Sequence, residues 1–320
     1  MPFITVVLPV YNRAEVVSQA IDSVLAQTFS DFELIVVDDG SGDETVERLS
    51  RFADPRIQVL RIPVNGGACA ARNLGIEAAR GEIVCFLDSD DVYLPQKLER
   101  VVARFAARPS LDLLVDSFLS RKTKGDGERV KSKRNPPGLA GPAFREAVFD
   151  RRIAKATTAL SIRKRVLREV GAFDPALRRR QDLDLVLRLS SKFVCTTTDE
   201  ILWEKHDSAD AISRDHGLFL QASIDICDRH PDYLELHPAA LYRDLRSHFG
   251  WLAKHLHWGV FVRDARHYAA DGRFGPSLLR LLFDRRLSRP AQLDSIQRSR
   301  ADSGSPSTIA ETSCAPASVE

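Results

Sequence analysis

The first third of the chain alternates short apolar runs with amphipathic segments, and this alternation constrains the fold more than any other feature. The apolar runs have the length of strands, and the segments between them have helical periodicity. Strands that alternate with helices are joined by right-handed crossovers, which build a mainly parallel sheet with helices on its faces. The predicted strands are Ile4–Val10, Glu33–Asp38, Ile57–Ile62, Glu82–Asp88 and Leu111–Leu119, and the predicted helices are Glu15–Gln27, Glu44–Phe52, Ala68–Ala79 and Lys97–Ala107.

The rest of the chain carries weaker signals. A basic stretch with a glycine turn, residues 121–134, predicts a hairpin or mobile loop between two halves. Residues beyond about 215 have a helical pattern, and from Ser299 onward Ser, Ala, Pro and Thr dominate, so we expect a disordered tail there. Between these regions the pattern predicts a strand at Thr157–Ile162 and helices at Lys164–Val170 and Asp182–Leu189.

The composition limits the class of protein. The 320 residues carry a formal net charge of +2, which is too small to indicate nucleic acid as a partner. The five cysteines form no Cys-x-x-Cys pair, which argues against a disulfide scaffold or thiolate zinc site and favours a reducing, cytoplasmic location. The chain begins with a strand-like run rather than a signal peptide. No apolar run approaches the roughly 20 residues of a transmembrane helix, so we expect peripheral membrane contact at most.

An apolar run that leads into three carboxylates marks a candidate site. The run Val84–Leu87 is followed by Asp88, Asp90 and Asp91. Side chains at i and i+2 of an extended segment point the same way, so Asp88 and Asp90 are expected to converge. Their repulsion favours a neutralising cation, and a hard divalent ion that also accepts phosphate oxygens fits best. The pattern predicts a metal–diphosphate group at the edge of the sheet.

Polar clusters follow three of the predicted strands. They are Tyr11–Arg13, Asp38–Ser41 and Asp88–Asp91. Ligands of parallel sheets gather beyond the carboxyl ends of the strands. Three strands that deliver polar groups to one rim therefore predict a binding site.

These motifs resemble those of glycosyltransferase family 2. They occur in the family's order and spacing over roughly the first two-thirds of the chain, and an ordered set is far more specific than one short pattern. The matching segments are Val7–Asn12, Val36–Ser41 with Asp43, Asn65–Gly67 with Ala71–Asn73, Phe86–Asp91, Gly171–Asp174 and Gln181–Leu185.

The resemblance implies a type A glycosyltransferase fold with a Rossmann-like half. The implied organisation is a nucleotide-sugar-binding half at 1–120, an acceptor-binding and catalytic half at 121–212, a helical extension at 213–290 and a disordered tail at 291–320. It further implies an inverting enzyme that uses Mg²⁺ or Mn²⁺ to move sugar from a nucleoside diphosphate donor, a UDP-sugar, to a glycan or lipid-linked acceptor. The Gln-x-x-Arg-Trp element of processive synthases is absent from the sequence, which favours transfer of a single sugar.

The resemblance assigns roles to the acidic motif. Asp88 and Asp90 would bracket the divalent ion on the sugar diphosphate, with Asp91 as an alternative or supporting ligand. The competing interpretation is a solvated acidic turn in which Asp91 caps a helix. Similar enzymes often have a histidine near the metal or diphosphate at the position of His206, although a lone histidine is usually not a ligand.

The nucleotide pocket is implied at the ends of the first two strands. Asp39 would accept a hydrogen bond from the imide N–H of uracil, while Tyr11 and the Pro9 backbone would enclose the base. The alternative is that Asp38 and Asp39 cap the following helix and Tyr11 closes the core.

Asp182 is the candidate general base. A positioned carboxylate can take the proton of an acceptor hydroxyl as the new bond to the anomeric carbon forms; the alternative role is a helix N-cap. Asp184 would face elsewhere on the helix and pair with Arg188. The family pattern often has Glu where this chain has Gln181, and both residues occur in similar proteins.

Three features keep two interpretations each. Arg72 either contacts the nucleotide or diphosphate, or pairs with Asp90 or Asp39. The run Arg178–Arg180 either binds a lipid-diphosphate acceptor or the leaving diphosphate, or forms a solvated surface. Trp203 either stacks on an acceptor sugar or lies in the core.

Two further questions concern the C-terminal region and the function class. The segment Phe274–Arg289 is either an interfacial helix on anionic lipid or a helix packed on the transferase domain. The rivals to a transferase are a nucleotidyltransferase, which would need a Gly-rich basic loop after the first strand, and an inactive nucleotide-sugar-binding scaffold.

Overall fold

The computed structural model describes residues 2–124, 127–154, 156–206, 215–284 and 287. Its strands are β1 Ile4–Val10, β2 Phe32–Asp38, β3 Ile57–Arg61, β4 Ile83–Phe86, β5 Asp91–Tyr93, β6 Leu113–Lys124, β7 Gly127–Lys133, β8 Leu160–Arg163 and β9 Cys195–Lys205. Its helices are α1 Val17–Leu25, α2 Thr45–Ser50, α3 Ala68–Ala78, α4 Lys97–Ala107, α5 Gly141–Phe149, α6 Lys164–Val170, α7 Gln181–Ser190, α8 Phe219–Arg229, α9 Pro231–Leu236, α10 Pro238–Lys254, α11 Trp258–Ala270 and α12 Leu278–Phe283.

The described strands form one mixed sheet in the order β3-β2-β1-β4-β8-β6-β9-β5, with β7 paired to β6. The first four strands in this order are parallel neighbours. Every residue of β1 and β2 is buried, as expected when helices cover both faces of a parallel sheet. The other pairs are antiparallel, except that β6 and β9 run parallel. The predicted fold class, a sheet with flanking helices and a helical C-terminal region, is confirmed.

The helices of the first half bury regular apolar stripes. Helix α4 buries Leu98, Val101 and Phe105 at positions i, i+3 and i+7 and exposes most of the charged residues between them. Helix α3 approaches β1 closely at Gly75, where a Cβ atom would lie 2.5 Å from Val7 Cγ1. Glycine is therefore required at this helix–strand contact.

Several predicted bounds were wrong. The strand predicted to reach Asp88 ends at Phe86, and the one predicted at Thr157–Ile162 begins with a 3₁₀ turn, Thr157–Ala159. The basic stretch 121–134 forms much of the β6–β7 hairpin. Its tip, residues 125–126, lies outside the described residues.

The C-terminal helices pack against one another and against the sheet domain. Helix α10 buries Leu241, Leu245, Phe249 and Leu252 along one face. The segment Phe274–Arg289 was predicted to be either interfacial or packed on the domain. Within it Leu281 is buried, whereas Leu279 and Phe283 are 70% and 79% exposed. The predicted tail at 291–320 lies outside the described residues. Within the described ranges, no helix is long and apolar enough to cross a membrane.

Candidate active site

A cavity of about 830 Å³ opens at the carboxyl ends of β1, β2 and β4. This volume suits a ligand of small-molecule or cofactor size. The cavity brings together most of the predicted site residues, namely Pro9, Tyr11, Asp39, Arg72, Asp88, Asp90 and Asp182. Two others, Asp91 and His206, are not among the described residues that line it.

Sheet register places the loops that follow β1 and β2 together. Val10 at the end of β1 pairs with Asp38 at the end of β2, and the Asp39 amide donates to the Val10 carbonyl at 2.8 Å. Tyr11 and Asp39 therefore emerge side by side at the same sheet edge. Asp38 accepts the Ser41 amide and so supports the turn. Tyr11 is 45% exposed, so its ring does not close the core.

The carboxylate of Asp39 is buried and organises a second loop. One of its oxygens accepts the Gly66 amide and the other the Gly67 amide, both at 2.8 Å. Gly67 has φ +86°, a backbone region that favours glycine. Each carboxylate oxygen can accept more than one hydrogen bond, so Asp39 retains capacity towards a ligand. Asp39 does not cap α2, because the N-cap residue of that helix is Glu44 and the Thr45 amide donates to the Asp43 side chain at 3.0 Å.

The acidic motif is a turn rather than an extended segment. The Asp91 amide donates to the Asp88 carbonyl at 2.9 Å, so the chain reverses between them. The prediction that Asp88 and Asp90 lie on an extended segment is therefore wrong, because β4 ends two residues before Asp88. Both carboxylates nevertheless line the cavity. Burial, and then the charge of Asp88, raise the pKa of Asp90.

Asp91 returns into the sheet and is fully buried at the start of β5. The Thr158 hydroxyl donates to its Oδ2 atom at 2.6 Å and also accepts the Asp88 amide at 3.1 Å. Burial raises the pKa of Asp91 well above its ordinary value. Asp91 thus supports the acidic turn from behind, and it does not cap a helix.

A buried ion pair lies behind Thr158. Lys97 and Asp116 form a salt bridge and are both fully buried. The Lys97 ammonium also donates to the Thr158 carbonyl at 3.2 Å, and Trp203 Nε1 donates to Asp116 at 2.8 Å. The Trp203 ring stacks on Phe118 with a centroid distance of 4.3 Å. Trp203 is therefore a core residue, so the alternative of stacking on an acceptor sugar is wrong.

Lys205 is a cavity cation that interacts electrostatically with the acidic group. It pairs with Asp91 across β5 and β9 and lines the cavity. Burial lowers the pKa of Lys205, but neighbouring carboxylates outweigh burial and raise it. The carboxylates that do so belong to Asp91, Asp88, Asp90 and Asp182.

Arg72 links the acidic turn to the candidate base. Its guanidinium donates to Asp88 at 2.7 Å and to the side-chain oxygen of Gln181 at 3.1 Å. The predicted Arg–Asp pair therefore exists, with Asp88 rather than Asp90 or Asp39. Gln181 precedes Asp182 at the start of α7, so Arg72 fixes the position of the base relative to the acidic turn.

Asp182 and Asp184 have different environments, as predicted. Asp182 lies in the first turn of α7 and lines the cavity. Arg180, not Asp182, is the N-cap residue of the helix. Asp184 is buried and contacts Arg188 at 2.8 Å and His230 at 3.0 Å, which stabilises the packing of α7.

His206 directly follows β9 and lies beside Glu204. Its Nε2 atom lies 3.6 Å from a Glu204 carboxylate oxygen, and the side chain is 38% exposed. Glu204 in turn binds the Arg121 guanidinium at 2.7 Å. The residues after His206, 207–214, lie outside the described ranges.

Some cavity residues were missed from the sequence. Lys205 could have been found because it directly precedes His206, which the sequence had already singled out. Arg151, Phe219, Tyr233 and Asp244 also line the cavity, but no local pattern marks them because they come from the second half and the C-terminal helices.

Comparison with protein families gives a match that covers more than half of the chain. The sequence profile described as "Glycosyl transferase family 2" matches residues 5–171, which is more than half of the chain. The chain belongs to glycosyl transferase family 2. The match includes the loops around Asp39 and Asp88 and ends before α7.

Two curated relatives illustrate this family 2 likeness. The chain is 39% identical over 100 residues to the Escherichia coli UDP-Glc:alpha-D-GlcNAc-diphosphoundecaprenol beta-1,3-glucosyltransferase WfgD, covering 31% of this chain and 40% of that protein. It is 35% identical over 179 residues to the glycosyltransferase AglE of Haloferax volcanii, covering 54% and 56% of the two chains. The matched part is less than two-thirds of the length of either relative.

Solved structures show the same fold. S. aureus TarS 1–349 superposes with a TM-score of 0.59 at 18% sequence identity, covering 93% of this chain and 92% of that one. TarS has also been solved in complex with UDP and with UDP-GlcNAc. At this identity the likeness concerns the fold, including the C-terminal helical region.

Proposed function

We propose that this family 2 chain is a metal-dependent, inverting glycosyltransferase that moves a single sugar from a UDP-sugar to a hydroxyl of a glycan or lipid-linked acceptor. The observation that carries the proposal is the meeting of Asp39, Asp88, Asp90 and Asp182 in one cavity. Such a cavity can hold a nucleotide at one end and an acceptor at the other. UDP as the donor nucleotide is supported by the UDP complex of TarS and by the donor in the name of WfgD.

The nucleotide end has the groups that a pyrimidine base needs. Tyr11 presents a half-exposed aromatic face, which gains stabilisation when a base stacks on it. Asp39 is a buried acceptor beside it and suits the imide N–H of uracil. Both lie next to the Pro9 backbone at the end of β1.

Asp88 and Asp90 fit a divalent ion whose coordination is completed by the donor. Mg²⁺ is commonly bound through one or two carboxylates together with substrate phosphates. When bound, Mg²⁺ or Mn²⁺ stabilises the negative charge of the leaving diphosphate. Arg72 and Lys205 add two cations at the same place.

Asp182 takes the proton of the acceptor hydroxyl. As the hydroxyl oxygen bonds to the anomeric carbon, the bond from that carbon to the diphosphate breaks and UDP leaves. A single displacement of this kind inverts the configuration of the sugar. Asp182 lies in the first turn of α7 and lines the cavity, where an acceptor hydroxyl can reach it.

Product analysis tests the proposal. Wild-type protein is incubated with a panel of nucleotide sugars, Mn²⁺ and glycan or lipid-linked acceptors, and the released nucleotides are separated by chromatography. We expect UDP to be released from one UDP-sugar and the release to fall at least about 100-fold in Asp182→Asn. Asp199→Asn is the matched control, because Asp199 is exposed and does not line the cavity.

Each rival function has its own outcome in this experiment. In a parallel incubation with UTP and a sugar 1-phosphate, formation of a nucleotide sugar with release of pyrophosphate would identify a nucleotidyltransferase. Binding of a UDP-sugar without turnover on any acceptor would favour the scaffold. Unchanged turnover in Asp182→Asn would remove Asp182 from the role of base.

A further inference from the structure

Thr158 is a fully buried residue that contacts both ends of the acidic turn. It lies in the 3₁₀ turn before β8 and is not among the described residues that line the cavity. Its hydroxyl donates to Asp91 Oδ2 at 2.6 Å and accepts the Asp88 amide at 3.1 Å. A single hydroxyl thus uses its donor on the residue that ends the turn and an acceptor position on the residue that begins it.

Sheet register explains why Thr158 meets the turn. Strand β8 runs antiparallel to β4, with Ser161 paired to Cys85. The same register, continued three residues along each chain, sets Thr158 opposite Asp88. Strand β4 has ended by then, so the Asp88 amide is satisfied by a side chain instead of by a strand partner.

The backbone of Thr158 is fixed by the buried ion pair. Its carbonyl accepts the Lys97 ammonium at 3.2 Å, and Lys97 forms a salt bridge with Asp116. Trp203 Nε1 donates to the same Asp116 carboxylate at 2.8 Å. All four residues are fully buried, and a connected network of this kind is rigid. The hydroxyl that supports the turn is therefore held in one position.

The turn that Thr158 supports carries the carboxylates of the cavity. The Asp91 amide closes the turn on the Asp88 carbonyl, and Asp88 and Asp90 both line the cavity. Without the Thr158 hydroxyl, the Asp88 amide and Asp91 Oδ2 would each lose a buried partner. Mg²⁺ requires near-ideal octahedral geometry, so displaced carboxylates would bind it less well.

We propose that Thr158 is a positioning residue that holds Asp88 and Asp90 in the geometry in which they bind a divalent ion together with the donor diphosphate. The inference rests on the proposed function. It adds that the metal-dependent part of UDP affinity is determined by a residue outside the cavity. Groups that orient metal ligands without touching the metal change its affinity or the activity by about 10–100-fold when they are removed.

Calorimetric titration of UDP, in the presence of Mn²⁺ or of EDTA, tests this role. Thr158→Val keeps the branched shape and removes the hydroxyl, whereas Thr158→Ser keeps the hydroxyl. With Mn²⁺ we expect Thr158→Val to bind UDP at least about tenfold more weakly than wild type, and Thr158→Ser to stay within about threefold. With EDTA the wild type and Thr158→Val should bind UDP equally, because the contacts of Tyr11 and Asp39 are unchanged.

Thr5→Val is the matched control for a merely structural effect. Thr5 is also fully buried, and its hydroxyl makes the same kinds of contact, donating to Glu33 at 2.6 Å and accepting the Gly81 amide at 2.9 Å. It lies in β1 and is not among the described residues that line the cavity. We expect its loss to lower the melting temperature about as much as Thr158→Val does, but to change UDP affinity with Mn²⁺ by less than about threefold.

The outcomes distinguish this inference from the proposed function. Mn²⁺-dependent UDP affinity that is equal in wild type and Thr158→Val would overturn the inference alone. An equal loss of affinity in Thr5→Val would also overturn it, because the effect would then reflect general destabilisation. Thr158→Ala, which places no methyl group against the Asp91 carboxylate, is measured in parallel and should show the same loss as Thr158→Val. If wild-type affinity for UDP is the same with Mn²⁺ and with EDTA, the metal role in the proposed function is contradicted and the inference fails with it.

Discussion

Replacing Lys97 by Met tests whether the buried ion pair supports the site. The substitution keeps most of the side-chain volume but leaves the Asp116 carboxylate without its cation in a fully buried position. Removing one partner of a buried pair destabilises proteins by about 3–5 kcal/mol. Burial already raises the pKa of Asp116 to about 6 with Lys97 present, although Lys97 opposes this shift. Without Lys97 the pKa of Asp116 rises further. At low pH the buried carboxyl group is neutral and needs no cation, so the loss of Lys97 costs most stability at high pH.

The expected loss of stability therefore depends on pH. In the wild type, the folded protein holds the Asp116 proton more tightly than the unfolded chain does. The contribution of Asp116 to stability therefore falls as the pH rises from about 4 to about 6, and it is constant above that range. In Lys97→Met the fall continues above pH 6, at up to about 1.4 kcal/mol per pH unit. We expect the variant to lose about 3 kcal/mol relative to wild type at about pH 8 and clearly less at about pH 5.

Urea denaturation followed by tryptophan fluorescence measures these differences. Lys192→Met, at an exposed position, is the matched control and should change the free energy of unfolding by less than about 0.5 kcal/mol. The double variant Lys97→Met with Asp116→Asn should recover part of the loss at the higher pH, because the buried charge is removed. Equal losses at the two pH values, or a loss below about 1 kcal/mol at the higher one, would refute the reasoning.

Four other substitutions probe the site and the fold. Asp182→Asn should lower kcat by about 10²–10⁴-fold without changing UDP affinity, as measured by steady-state kinetics and calorimetry; a loss confined to KM would contradict its role as base. Gly81→Ala should lower unfolding free energy by about 1–3 kcal/mol, because the new Cβ would lie 2.5 Å from the Thr5 amide nitrogen. Gly250→Ala, with no atom within 4 Å of its Cβ, should stabilise α10 in the same denaturation series. Arg72→Lys should lower the melting temperature, since Lys cannot reproduce both guanidinium contacts; an unchanged melting curve would show that the two contacts are dispensable.

The sequence predicted those parts of the molecule that are determined locally. Strand β1 and helix α4 have the predicted bounds, because a continuous apolar run and an amphipathic period are properties of neighbouring residues. Strand β5 was missed because its three residues are held by pairing with β9, more than a hundred positions away in the chain. The order of the strands in the second half depends on the same kind of distant pairing.

The candidate site also contains some residues that local sequence predicts and others that depend on distant contacts. Asp39 and Asp88 were predictable because each follows a buried strand. The turn at Asp88–Asp91 was not, because the Thr158 hydroxyl that supports it comes from a distant segment. Arg151 and Asp244 had no local signal, since their positions become meaningful only when α10 packs against the cavity.

In the proposed function, the acidic turn and a divalent ion together hold the diphosphate of UDP. Calorimetric titration of UDP into wild-type protein and Asp90→Asn, each with Mn²⁺ or with EDTA, measures this directly. We predict that UDP binds wild type with Mn²⁺ and that the dissociation constant rises at least about tenfold with EDTA or with Asp90→Asn. Affinity for UDP that is the same in all four titrations would contradict the claim.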